Sequence, residues 1–229
     1  MGEGCVKNLS SPLMSENLGF LTVIDQPSAG LTGGYLVLNR AGRPLEFHCT
    51  MPLSPDKIQK ILYGDTLEPF LYGEKIAQTL IQRSKLPVLS ILTNHAAVLP
   101  VQCWTPTPVV YVFAGLTAPK ADEPAVSLPF REISEELSES LKNFGIDNAR
   151  LQMRASHLHE NISVPQVPGF DTGTWREIRL GNRLIAVPKA ETHHRDTLVA
   201  ELKEAARTID LLEPFARIRR ALDEAKNAA

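Results

Sequence analysis

The chain has 229 residues, 43% hydrophobic and 22% charged, a globular rather than a disordered composition. Its 24 basic and 26 acidic residues leave a net charge of −2, so no global field draws it to nucleic acid or to an acidic membrane. Three widely spaced cysteines (Cys5, Cys49, Cys103) without a CxxC exclude a disulfide scaffold, and no apolar run approaches the roughly 20 residues of a membrane span.

Residues 1–17 lack a hydrophobic signal core and are expected to form a flexible arm. "FLTVID" (20–25) reads as a strand, and "QPSAGLTGG" (26–34) as a turn cluster whose glycines serve the turn. "YLVLN" and "PLEFHC" follow, joined by a short loop around Gly42, and predict a hairpin. Period two puts Leu45, Phe47 and Cys49 on one face of the second strand, and Glu46 and His48 on the other. His48 and Cys49 therefore point apart and cannot act as a nucleophile–base pair. Cys49 is expected to join the apolar face as a small hydrophobe, while Glu46 and His48 sit where they can interact.

"SPDKIQKILYG" predicts a helix with Ser54 as N-cap, Pro55 at its first position and Gly64 as its stop. Ile58, Ile61 and Leu62 form its apolar stripe. "TLEPFLYGEKIAQTLIQRSK" predicts a second helix, broken near Pro69 and Gly73, with Ile76, Leu80 and Ile81 on its buried side. "LPVLSILTNHAAVLPVQ" supplies a buried strand with room for a second, and "TPTPVVYVFAGL" another. The proline- and alanine-rich stretch 117–130 reads as a linker. Beyond it, "REISEELSESLKNFG" predicts an amphipathic helix with Ile133, Leu137 and Leu141 on one face. A hairpin over 175–187 turns at Gly181-Asn182. Two closing helices, parted near Pro214, carry Leu198, Leu202 and Ala205, then Phe215, Ile218 and Leu222, at core spacing.

The expected fold is α+β (mixed α/β): a mostly antiparallel sheet covered by helices, then a mainly helical C-terminal region containing one hairpin. The expected organisation is an arm (1–17), a sheet domain (18–116), a linker (117–130) and the helical region (131–229).

No glycine-rich phosphate loop, GxSxG elbow, HExxH or kinase motif occurs. Two histidine pairs stand out, His157/His159 in "SHLHEN" and His193/His194 in "ETHHRD". Meeting in space, they could hold one divalent metal in a hydrolytic site. Helical geometry opposes this, since i, i+2 rings on a helix point about 200° apart. His193 and His194 also fall at an expected helix start. Tyr63, Phe70 and Tyr72 cluster around two "LYG" repeats and suit packing or docking, and Arg217, Arg219 and Arg220 form a small basic patch.

The expected function is a non-catalytic interaction or scaffolding subunit of a cytoplasmic multi-protein assembly. It would use no cofactor, a protein partner or a second copy of itself, and no membrane. The alternatives are a metal-dependent hydrolase built on the two histidine pairs and, more weakly, a nucleic-acid-associated subunit using the three arginines.

Overall fold

A computed structural model of the chain describes residues 15–26, 30–114, 164–181, 183–189 and 192–227, without the side chains of 192–194. All of these lie in one compact unit formed by residues 1–118 and 164–229. The expected linker 117–130, the helix carrying Ile133, Leu137 and Leu141, and His157 and His159 fall outside the described residues.

Strands β1 (Leu18–Gln26), β2 (Gly30–Leu38) and β3 (Pro44–Cys49) follow one another in the chain and pair antiparallel. Gly42, at φ 71°, supplies the left-handed residue of the turn between β2 and β3, and the Asn39 side chain accepts hydrogen bonds there from the Ala41 and Arg43 amides. A long helical crossover leads to β4 (Ser90–Thr93), which pairs parallel to β1, and β5 (Val109–Val112) pairs parallel to β4. The hairpin of β6 (Trp175–Leu180) and β7 (Arg183–Pro188) turns at Gly181 and adds to β5. The seven-stranded sheet runs β3-β2-β1-β4-β5-β7-β6. The fold is the α+β class the sequence implies, with four of the six strand pairings among the described residues antiparallel.

Helices cover both faces of the sheet. Leu21, Val23, Tyr35, Val37, Ile91 and Val109 face the crossover between β3 and β4. Phe20, Leu36, Leu38, Leu92 and Ile185 face the C-terminal helices α4 (Thr192–Thr208) and α5 (Glu213–Asn227). Period-two alternation serves a two-sided core here, so both sets of side chains are apolar. Leu198, Leu202, Ala205, Phe215, Ile218 and Leu222 are buried as their spacing implies.

The glycines of "GLTGG" do more than turn the chain, a correction to their sequence reading. Gly33 and Gly34 lie inside β2. A Cβ on Gly33 would come within 2.1 Å of the Ile76 side chain, and one on Gly34 within 2.3 Å of Ile218. Two adjacent residues of a strand point to opposite faces, so this pair admits a helix close against the backbone on each side of the sheet.

The crossover begins with α1 (Lys57–Tyr63), capped by Asp56 rather than Ser54: its carboxylate accepts from the Gln59 amide at 2.7 Å, and Gln59 accepts from the Asp56 amide. Gly64 ends the helix, as its spacing implies. One 3₁₀ turn (Gly64–Thr66), α2 (Leu67–Pro69), a π-helix (Phe70–Ala77) and α3 (Gln78–Arg83) follow in unbroken succession along the chain. The disturbance expected near Pro69 and Gly73 takes the form of this π segment. A 3₁₀ helix, Ala96–Cys103, occupies the place of the optional second strand after β4.

Candidate functional site

The crossover and two distant loops enclose a cleft of about 290 Å³. Among the described residues, four aromatic side chains line it: Tyr63 from the end of α1, Phe70 from the π-helix, Trp104 just after the 3₁₀ helix, and Phe170 from the turn before β6. Tyr63 and Phe70 stack with centroids 4.3 Å apart and an interplanar angle of 25°. Lys75 Nζ lies 5.1 Å from the Phe70 centroid, a cation–π contact. Phe170 leans on Trp175 at 5.2 Å, and Trp175 is fixed by donating Nε1–H to the Val109 carbonyl. Trp104 is 44% exposed, whereas Trp175 is 6% exposed. The remaining lining is mostly proline, glycine and Thr66, whose hydroxyl donates to the Tyr63 carbonyl. The two helical segments meet at Gly73, where a Cβ would sit in ordinary contact, 3.4 Å from the Ala97 carbonyl oxygen.

A second, wider cleft of about 600 Å³ opens beside the ends of β1 and β2 and is lined by Asp25, Asp65, Glu68, Leu71 and Tyr72. Burial, then the charges of Glu68 and Asp25, push the Tyr72 phenol up to about 12. Tyr72 also meets the His95 ring at 5.7 Å. Burial, then the Arg219 charge, lowers the His95 pKa, and its Nε2 is buried without a hydrogen-bond partner among the described residues. One residue before it in the chain, Asn94 Oδ1 accepts from the Thr22 hydroxyl at 2.8 Å, just past the last β1–β4 pair, Leu21 with Thr93. Among the described residues, no group of three or more His, Cys, Asp or Glu side chains is placed to hold a metal ion.

The residues singled out by sequence part company in three dimensions. Tyr63 and Phe70 share the aromatic cleft, while Tyr72, two residues on, turns into the core and lines the other cleft. Arg217 is tied to Glu213 at 2.7 Å and donates to the Gly42 carbonyl. Arg219 and Arg220 are exposed on α5, which covers the sheet face opposite Phe70. His193 and His194 fall in the first turn of α4, and their side chains lie outside the described residues. Glu46 accepts from His48 Nε2 at 2.7 Å, as their shared face implies. Cys49 is a free, exposed thiol on the edge strand, and Cys103 is disulfide-bonded. Sequence reasoning passed over Trp104 and Phe170. Their signal is an aromatic residue set in glycine- and proline-rich turns, "CWTPTP" and "PGFDTG", where no helix or strand stripe accounts for it.

No protein-family model matches the chain, and no curated protein does. It is similar to solved structures of endonuclease V. One is the Ciona intestinalis enzyme in complex with a 24mer DNA containing an inosine followed by a ribo-adenosine, at 14% identity and a TM-score of 0.42. That match covers 94% of this chain and 89% of the other. Human ENDOV matches at 16% identity and a TM-score of 0.40, over 96% of this chain and 91% of that one. The expectation of a non-catalytic interaction or scaffolding subunit is corrected by this similarity to endonuclease V. No described helix is long and apolar enough to cross a membrane.

Proposed function

We propose that this protein binds nucleic acid and takes an unstacked base of a single strand into the cleft of Tyr63, Phe70, Trp104 and Phe170. The observation that carries this reading is the convergence of four aromatic side chains, from three separate stretches of chain, on one small cleft. Aromatic faces hold bases by stacking, which contributes roughly 1–3 kcal/mol per base and tolerates any base because each has a π-face. The cleft is at the lower end of small-ligand pockets, which begin near about 300 Å³. Trp104 is the natural platform, because it keeps nearly half its surface open beside the cleft.

The test uses a fluorescently labelled single-stranded dT 8-mer and its duplex. Anisotropy is expected to show tighter binding of the single strand, and Trp104→Ala to weaken it about ten-fold, the loss of one stacking contact. Intrinsic fluorescence gives a second readout, because Trp175 is buried and Trp104 reports the cleft. Binding that is equal for strand and duplex, and unchanged in Trp104→Ala, would sink the reading.

A further inference from the structure

We propose that Glu74 makes the aromatic cleft selective for guanine, an inference that rests on the base-binding reading above. Among the described residues that line the cleft, Glu74 is the one acidic or basic side chain. It lies in the same π-helix as Phe70, four residues on, which sets both side chains on one side of that helix. It is exposed, and among the described residues it takes part in no hydrogen bond or ion pair. The carboxylate is thus an unengaged acceptor at the edge of an aromatic slot.

An ionised carboxylate only accepts, through two oxygens a short distance apart. The base that answers it must offer two neighbouring donors. Guanine does so, with its ring N1–H beside its 2-amino group. Adenine and cytosine offer an amino group next to a ring nitrogen that is itself an acceptor. Thymine and uracil offer one N–H flanked by two carbonyl oxygens. Each of these sets a lone pair against the carboxylate, and an unpaired, desolvated acceptor opposes binding. Stacking on Trp104 would then supply affinity, and Glu74 the choice of base.

The experiment measures binding of dT 8-mers that carry one central dG, dA, dC or hypoxanthine nucleotide, against plain dT 8-mer, with wild type, Glu74→Gln and Trp104→Ala. The dG strand is expected to bind about ten-fold more tightly than the plain strand. Hypoxanthine, which lacks the 2-amino group, is expected to fall between them. In Glu74→Gln, where one acceptor oxygen becomes a donor, the dG-to-dT affinity ratio is expected to drop to about one. A ratio that survives Glu74→Gln overturns the assignment, as does a wild type indifferent to the base whose binding Trp104→Ala still weakens. If Trp104→Ala changes binding of no strand, the base-binding reading has failed and the guanine assignment falls with it. Glu74 is exposed, so an unchanged melting temperature certifies the fold of the Glu74→Gln variant.

Discussion

Two helices of this molecule carry nearly the same message and meet opposite fates. In α5, Phe215, Ile218 and Leu222 recur at helical spacing and are all at most 5% exposed. In α1, Ile58, Ile61 and Leu62 also fall at helical spacing, yet they are 67%, 79% and 76% exposed. The difference lies in the partner surface. α5 lies along β1 and β2 where Gly34 leaves a hollow for Ile218, so its stripe closes a core. α1 buries no residue, and is held by its Asp56–Gln59 capping box and, at its end, by the stack of Tyr63 on Phe70. An apolar stripe says that a helix has a face; it does not say that anything covers it.

The sharpest way to break this comparison is to truncate the two stripes in turn. Ile218→Ala is expected to cost about 2–5 kcal/mol of unfolding free energy, because a fully buried side chain seated against strand backbone leaves a cavity that cannot collapse. Urea or thermal denaturation reads this directly. Ile61→Ser on α1 is expected to change stability by less than about 0.5 kcal/mol. A loss at Ile61 comparable to that at Ile218 would show that α1 is covered in solution.

Between these extremes lies Glu46. Burial alone would raise its pKa, but hydrogen bonds from His48, Ser84 and the Lys85 and Leu86 amides outweigh it and hold the carboxyl down to about 2. The folded pKa lies below the unfolded value of 4.5, so the carboxylate stabilises the fold fully above about pH 4.5. That contribution is lost as the pH falls from there toward 2. With allowance for solvent screening near the sheet edge, it amounts to about 1–2 kcal/mol. Glu46→Gln is expected to lower stability by that amount at pH 7 and to flatten the decline between pH 4.5 and 2. An unaltered acid limb in the variant would assign the pH dependence to other groups.

How much of this was legible beforehand depends on the range of each interaction. Glu46 and His48 are two residues apart on a strand, so period two alone set them side by side. The same alternation put Leu45, Phe47 and Cys49 together, but the expectation that they join an apolar core met a bare edge, with Leu45 47% and Phe47 40% exposed. Arg217 and Glu213 were readable as an i, i+4 pair. The candidate site was readable only in part. Tyr63 and Phe70 stand seven residues apart in a stretch marked by two "LYG" repeats, whereas Trp104 and Phe170 come from turns with no periodicity to mark them.

By itself, the sequence determined the local features: which residues alternate along each strand, where Gly42, Gly64 and Gly181 turn or stop the chain, and which faces of the helices are apolar. These follow from backbone sterics and from spacing within a few residues. Only the tertiary structure decided that β4 and β5 lie parallel to β1, that Gly33 and Gly34 seat helices on both faces, that α5 is covered and α1 is not, and that four aromatics meet. Each of those outcomes joins segments tens of residues apart, and spacing along a chain carries no information about what will arrive from elsewhere to fill a hollow or cover a face.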